Sequence, residues 1–285
     1  GYVGRINEQE LKSIDPVAYA GTHYIGKTGI ERYYEQLLHG TVGYEEVETN
    51  ARGRVLRVLN RTDPIPGRDL TLELDVKLQQ VAEEALGDRR GAVVAIDPAT
   101  GGVLAFVSKP GFDPNLFVTG ISYADYGALR DSLDQPLFNR VLRGQYPPGS
   151  TIKPIVALAG LDAGVVTRTS RVYDPGFYQL PNVSHKYRNW NRSGDGWVDM
   201  SYAIARSNDT YFYDLANKLG IDRMHDFMSQ FGIGQRVSID MYEEAAGLMP
   251  SSSWKRTKYR QPWYPGETLI AGIGQGYMLA TPLQL

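Results

Sequence analysis

From Ile155 to Leu161 every residue is apolar, and Pro147-Pro148-Gly149-Ser150-Thr151-Ile152-Lys153-Pro154 leads straight into that run. A helix without a polar face is stable in water only when neighbouring elements cover it on all sides. The chain must therefore build layers around a helix expected over Ile155 to Ala163. A second apolar helix is expected over Tyr211 to Leu219. The β-rich runs Ala92 to Ile96 and Val103 to Val107, joined through Asp97-Pro98-Ala99-Thr100-Gly101-Gly102, read as a hairpin with both strands largely buried. The fold class that follows is mixed α/β.

At 285 residues the chain has room for one large domain or two of unequal size. With 42% apolar and 22% charged residues it can bury a sizeable core, which excludes general disorder. A net charge of −2 gives no electrostatic reason to expect nucleic acid as a partner. The arginines at 52, 54, 57 and 61 read as the solvated side of a strand. No run approaches the roughly eighteen apolar residues of a membrane span, and no basic-then-apolar leader opens the chain. The absence of cysteine suits cytoplasm or a disulfide-free envelope protein.

Residues 1 to about 87 read as short elements. A helix is expected around Ile30 to Leu38, and extended segments around Val55 to Leu59 and Leu70 to Leu74, separated by the turn-rich Asp63-Pro64-Ile65-Pro66-Gly67. A helix over Asp75 to Leu86 ends at Gly87, where the domain boundary is placed. Residues Asp174 to Asp199, rich in Gly, Pro, Asn and aromatics, read as a long ordered loop of functional character. Thr281-Pro282 has the form of a helix start, yet the sequence given stops at Leu285, so a longer parent chain is expected.

The prolines and Gly149 form a rigid turn that puts Ser150 at the helix N-terminus with Lys153 one turn later on the same side. That pairing suits nucleophilic catalysis, because a serine hydroxyl needs a base and a lysine in a water-poor site can act neutral. The same Ser-x-x-Lys spacing recurs at Ser252-Ser253-Trp254-Lys255. No rigid turn precedes it and no apolar helix follows it, so it reads as a surface segment. Ser207-Asn208-Asp209 stands just before the second apolar helix. It offers a hydroxyl to relay protons and a polar group to orient the lysine, the alternative being a plain helix cap.

Pro-Pro-Gly-Ser-Thr-Ile-Lys-Pro, Ser-Asn-Asp-Thr-Tyr-Phe-Tyr, and Gly272-Ile273-Gly274-Gln275-Gly276-Tyr277 with Ala280-Thr281-Pro282, in this order, resemble the class B penicillin-binding proteins, within them the penicillin-binding protein 2 subfamily. The resemblance implies a pedestal (dimerisation-type) domain over residues 1–87. It also implies a penicillin-binding/serine β-lactamase-like transpeptidase domain over 88–285, an antiparallel sheet flanked by helices whose C-terminal part is missing here. By that resemblance Ser150 would attack the terminal D-Ala-D-Ala bond of a peptidoglycan stem peptide, with Lys153 as general base and Ser207 as relay. Asp209 stands where most relatives carry asparagine, which leaves its role open. β-Lactams would acylate the same serine. The implied setting is the periplasmic face of the bacterial inner membrane, with an anchor before Gly1, a glycan polymerase alongside and elongation scaffold proteins on the pedestal.

Lys27-Thr28-Gly29 spells the family's third motif but precedes the other two and leads into a helix, so it is assigned to the pedestal. The true third motif is expected beyond Leu285. No cofactor and no metal is expected. The four histidines lack zinc spacing. Some relatives hold a metal between the first two motifs, but Asp174, Asn189 and Asp195 stand there here without thiolate or aligned imidazole, so a satisfied polar loop is expected. Trp190, Trp197 and Tyr187 are expected to pack rather than to line a cleft. Two other readings compete with the transpeptidase. A serine β-lactamase or β-lactam sensor is disfavoured because no glutamate lies between Ser150 and Ser207 to activate water. A non-catalytic pedestal scaffold leaves Ser150 and Lys153 without a purpose.

Overall fold

The computed structural model describes residues 1–285, and Cα proximity divides them into two compact units: Gly1–Asn139 with Ser238–Glu243, and Arg140–Val237 with Glu244–Leu285.

In the first unit, β1 (Val3–Arg5) pairs with β2 (Tyr24–Gly26), with α1 (Glu8–Leu11) between them; Asn7 and Glu10 close a reciprocal capping box at the start of α1. The single helix expected around Ile30 to Leu38 is two, α2 (Gly29–Tyr33) and α3 (Glu35–Leu38), because Tyr34 leaves helical geometry at ψ 18°. β3 (Tyr44–Thr49) and β4 (Val55–Thr62) form an exposed antiparallel ribbon. Arg57 and Arg61 lie on it as solvated ion pairs with Glu48 and Glu45. Residues 70–74 form no strand, contrary to expectation, since no other segment pairs with them.

Asp75 caps α4 (Val76–Leu86), and Gly87 ends it at a positive φ of 54°. This helix lies on the hairpin of β5 (Gly91–Ile96) and β6 (Val103–Lys109). The Gln79 amide accepts from Phe106 N at 2.7 Å and donates to Phe106 O at 3.0 Å, so a side chain takes the place of a neighbouring strand along β6. These bonds keep α4 and the hairpin in one unit. The hairpin is less enclosed than expected: Ala105 and Val107 are buried, but β5 is half-buried because the sheet has two strands and α4 covers one face. α5 (Tyr123–Arg130) follows, started by Ser122.

The second unit carries α6 (Arg140–Arg143), α7 (Lys153–Asp162), β7 (Arg171–Asp174), β8 (Phe177–Gln179), β9 (Lys186–Arg188) and β10 (Gly196–Asp199), then α8 (Met200–Ala205), α9 (Asp209–Leu219), α10 (Ile221–Ser229), α11 (Ser252–Tyr259) and α12 (Pro265–Ala271). Its core is built on α7 and α9. Val156, Ala157 and Ala159 of the one meet Tyr211, Phe212, Leu215 and Ala216 of the other, with Met224 and Met228 of α10 and Leu269 of α12 closing around them. Each of the buried Val, Leu, Phe and Met side chains contributes roughly 1.5–3 kcal/mol. Gly160 sets the spacing, because a Cβ there would lie 2.6 Å from a Leu215 methyl. The layering expected around the apolar helix is present on all faces but one, where Leu158 is 47% exposed.

Two expectations fail in this unit. Residues 174–199 are not a loop, since β7 pairs with β10 and β8 with β9 as short antiparallel ribbons. Ser252 to Lys255 is a surface segment only in part: Ser253 is exposed, but Lys255 is 1% exposed, pairs with Glu267 at 2.5 Å and faces the Tyr264 ring at 4.5 Å. Thr281 starts a single turn in which its hydroxyl accepts from Gln284 N at 3.3 Å. No helix is long and apolar enough to cross a membrane.

Candidate active site

Ser150 lies in a short 3-10 turn, Gly149–Ile152, that runs into α7 at Lys153. Two features hold the turn. Gly149, at φ 60°, donates its N–H to Gly274 O at 2.8 Å, and Thr151 Oγ1 donates to Pro148 O at 2.7 Å. Gly274 is itself at φ 72°, and a Cβ there would lie 2.2 Å from Gly149 O, so glycine is the residue that lets the two backbones meet. Upstream, Tyr146 and Ala280 exchange backbone bonds of 2.9 Å each way. The Gly272 to Ala280 segment singled out in the sequence is thus the bed on which the Ser150 turn rests.

Ser207 ends α8 and Asn208 begins α9. Ser207 N bonds to Ile204 O at 3.1 Å and Asn208 N to Ala203 O at 2.8 Å, the paired bonds of a Schellman ending. The residue in the left-handed position is Ser207, at φ 52°, where glycine is the usual occupant. Such backbone costs on the order of 1–3 kcal/mol and recurs at functional positions. Asn208 caps the next helix, accepting from Tyr211 N at 2.9 Å, so the cap falls on Asn208 and leaves the Ser207 and Asp209 side chains free to face Lys153.

Lys153 is 2% exposed and brings the two motifs together. Its Nζ donates to Asp209 Oδ1 at 2.6 Å, Ser207 O at 2.8 Å and Ser207 Oγ at 3.1 Å, and it lies 5.4 Å from the buried Phe212 ring. Burial pushes the Lys153 ammonium below the ordinary lysine range, and the opposing pull of Asp209 only partly offsets it. Ser150, exposed, shares a pocket of about 390 Å³ with Ser207, Asp209, Trp190, Arg206, Ile273 and Gln275. All four residues proposed from the sequence therefore lie in or under one pocket. A larger hollow of about 580 Å³ in the first unit is lined by Arg5, Tyr19 and His23 among others, without a nucleophile beside a buried base.

Trp190 corrects an expectation: it is 54% exposed on the pocket wall, donating Nε1–H to Arg206 O at 2.9 Å with the Arg206 guanidinium 5.2 Å from its ring. Trp197 is likewise 68% exposed, against the Tyr173 ring, whereas Tyr187 packs as expected near Tyr213. Arg206 carried no signal in the sequence, and Ile273 and Gln275 stood in the Gly272 to Tyr277 motif without a role assigned to them. Lys27 pairs with Glu10 at 2.5 Å, beside Thr28 as the residue before α2.

The region around Asp174 does not fit a metal. Asn189 and Asn208 turn amide N–H groups, not oxygens, toward the Asp174 carboxylate, each at 2.7 Å, and neither imidazole nor thiolate is among its partners. Burial alone would raise the Asp174 carboxyl, but the hydrogen bonds from Thr210, Asn208, Gly176 and Asp195 outweigh it and hold it below the usual range.

Residues 91–285 match the Penicillin binding protein transpeptidase domain, and residues 1–72 the Penicillin-binding Protein dimerisation domain. The chain belongs to the penicillin-binding protein transpeptidase family. Over its whole length this penicillin-binding protein is 56% identical to the peptidoglycan D,D-transpeptidase MrdA of Acinetobacter baumannii, covering 42% of that protein, and 50% identical to that of Escherichia coli K12, covering 46%. It spans less than half the length of these curated relatives. Among solved structures, the complex of Pseudomonas aeruginosa PBP2 with WCK 5153 superposes with a TM-score of 0.93 at 69% identity, over all of this chain and 59% of that one. Helicobacter pylori PBP2, solved in complex with MreC, also gives 0.93, at 36% identity over all of this chain and 52% of that one.

Proposed function

We propose that this chain carries the nucleophile and base of a peptidoglycan D,D-transpeptidase. The observation that carries the reading is Lys153: a buried ammonium held by Ser207 and Asp209 beneath the pocket that exposes Ser150. Ser150 Oγ adds to the carbonyl carbon of the penultimate D-Ala as its proton passes to Lys153, whose burial weakens its hold on its own proton and so makes the neutral, accepting amine easier to reach. The N-terminus of α7 favours the negative charge that develops on the carbonyl oxygen. Collapse of the tetrahedral intermediate breaks the peptide bond, and Ser207 relays the proton to the departing D-Ala amine. The ester left on Ser150 is then attacked by the amine of a second stem peptide, which forms the cross-link and returns the proton to the serine. Arg206 on the wall gives the pocket a cationic group suited to anionic substrates, a class that includes D-Ala-D-Ala termini and penicillins.

The working division we propose is a pedestal over 1–87 and a transpeptidase domain over 88–285, a functional division that the packing of α4 on the β5–β6 hairpin crosses. The wider setting is the periplasmic face of the inner membrane, with β-lactams as inhibitors and a glycan polymerase and elongation scaffold proteins as partners. The complex of Helicobacter pylori PBP2 with MreC, and a related structure described as a peptidoglycan synthase complex that coordinates polymerization and crosslinking, support those partners. The test is release of D-Ala and formation of cross-linked product from stem pentapeptides by the full-length protein. Wild type is expected to do both and Ser150→Ala neither; equal product from the two proteins contradicts the assignment.

A further inference from the structure

We propose that Asp174 is a positioning residue for the acylation step: one buried carboxylate that fixes the segment holding Lys153. The inference rests on the proposed use of Ser150 and Lys153. Asp174 is the last residue of β7 and is 1% exposed. Its Oδ1 accepts from Gly176 N and Thr210 Oγ1, both at 2.7 Å. Its Oδ2 accepts from Asn189 Nδ2 and Asn208 Nδ2 at 2.7 Å each and from Asp195 N at 3.1 Å. An ionised carboxylate offers about four lone-pair positions, so five donors saturate it.

The partners show what this group is for. Asn208 and Thr210 flank Asp209, and Asn189 uses its own Oδ1 to take the Asp209 N–H at 3.1 Å. Four of the five bonds thus lead, directly or through one side chain, to residues 208–210. Asn208 spends its second amide hydrogen on Asp195 Oδ2 at 2.9 Å, so the amide cannot turn without losing both bonds. The segment so fixed delivers Asp209 Oδ1, Ser207 O and Ser207 Oγ to Lys153 Nζ, with Ser207 in left-handed backbone. A core that needed only to satisfy a buried carboxylate had no reason to draw its donors from around Asp209. Every donor here requires an acceptor at position 174. Asparagine there would turn an N–H₂ either against the amides of Asn189 and Asn208 or against Gly176 N and the Thr210 hydroxyl.

The experiment uses the full-length protein as wild type, Asp174→Asn and Thr210→Val, acylated with benzylpenicillin over a range of concentrations and followed by quenched-flow mass spectrometry. It yields the fraction of molecules that react, the limiting acylation rate constant and the half-saturating concentration. In Asp174→Asn the limiting rate constant is expected to fall about tenfold to a hundredfold among the molecules that still react, as for a misplaced catalytic group. The half-saturating concentration should move far less. Thr210→Val, which keeps shape and loses one bond, is expected to slow the same constant about threefold to tenfold. A merely structural role lowers the melting temperature and the reacting fraction but leaves the rate constant of the reacting molecules at the wild-type value, and that result overturns the proposal. If Asp174→Asn does not fold, a wild-type rate constant in Thr210→Val overturns it equally. Failure of wild type to acylate at Ser150 is a different outcome: it refutes the proposed function, and this inference falls with it.

Discussion

Ser207 occupies a position at which helix ends ordinarily carry glycine, and it keeps a side chain there whose Oγ lies 3.1 Å from Lys153 Nζ. Ser207→Gly and Ser207→Ala both remove the hydroxyl, but only glycine relieves the left-handed backbone. The glycine variant is therefore expected to be more stable than the alanine variant by about 1 kcal/mol, or about 2–4 °C in melting temperature, while both acylate far more slowly than wild type. Equal melting temperatures would show that the backbone there is unstrained. Asp209 acts on Lys153 in the opposite sense to burial. Its carboxylate favours the charged ammonium, so Asp209→Asn leaves Lys153 to lose its proton at lower pH. The acid limb of the acylation rate against pH is expected to move to lower pH in Asp209→Asn, and a limb that stays put or moves upward argues against Lys153 as the titrating base. Ser150, Lys153, Ser207 and Asp209 were legible in the sequence because each pair lies within one turn of chain and carries its chemistry in the residue type. Asp174 was legible only as a member of a satisfied polar cluster with Asn189 and Asp195; its tie to the Lys153 site was not, since Asn208 and Thr210 come from a distant helix start.

At the scale of elements, the nucleophile's turn is seated on the rest of the unit by a backbone-to-backbone contact, the Thr151 hydroxyl bond being internal to the turn. Gly274→Ala places a methyl 2.2 Å from Gly149 O and forces a side chain into φ 72°. The left-handed backbone alone costs about 1–2 kcal/mol, and the overlap must also push the Ser150 turn aside. Thermal unfolding and penicillin acylation should both suffer, whereas a variant that melts and acylates as wild type would mean that the turn is not seated on Gly274. The apolar helices α7 and α9 and the capped α4 were readable because a long apolar run or a cap beside a periodic pattern is a local signal. The ribbons β7–β10 and β8–β9 were not: strands of three or four residues carry too little pattern, and β7 pairs with a segment more than twenty positions later. Lys255 misled for a related reason. Its burial comes from Glu267 and Tyr264, which approach from another stretch of chain, so the lack of a rigid turn before it and of an apolar helix after it read as surface.

Over the whole molecule, order along the chain decided what spacing could not. Lys27-Thr28-Gly29 and Ser252 to Lys255 repeat the letters of catalytic motifs, yet Lys27 is committed to Glu10 and Lys255 to Glu267. Lys153 instead lies under the pocket that exposes Ser150. Family membership follows from matches covering residues 1–72 and 91–285, while the acyl chemistry of Ser150 is our proposal, supported by the geometry around Lys153. That assignment is tested most directly by incubating the full-length protein with a penicillin, digesting it and locating the adduct by tandem mass spectrometry. One penicilloyl group on Ser150, absent from Ser150→Ala and formed far more slowly by Lys153→Ala, is the predicted result. An adduct on Ser207 or Ser252, or an unchanged rate in Lys153→Ala, would contradict it.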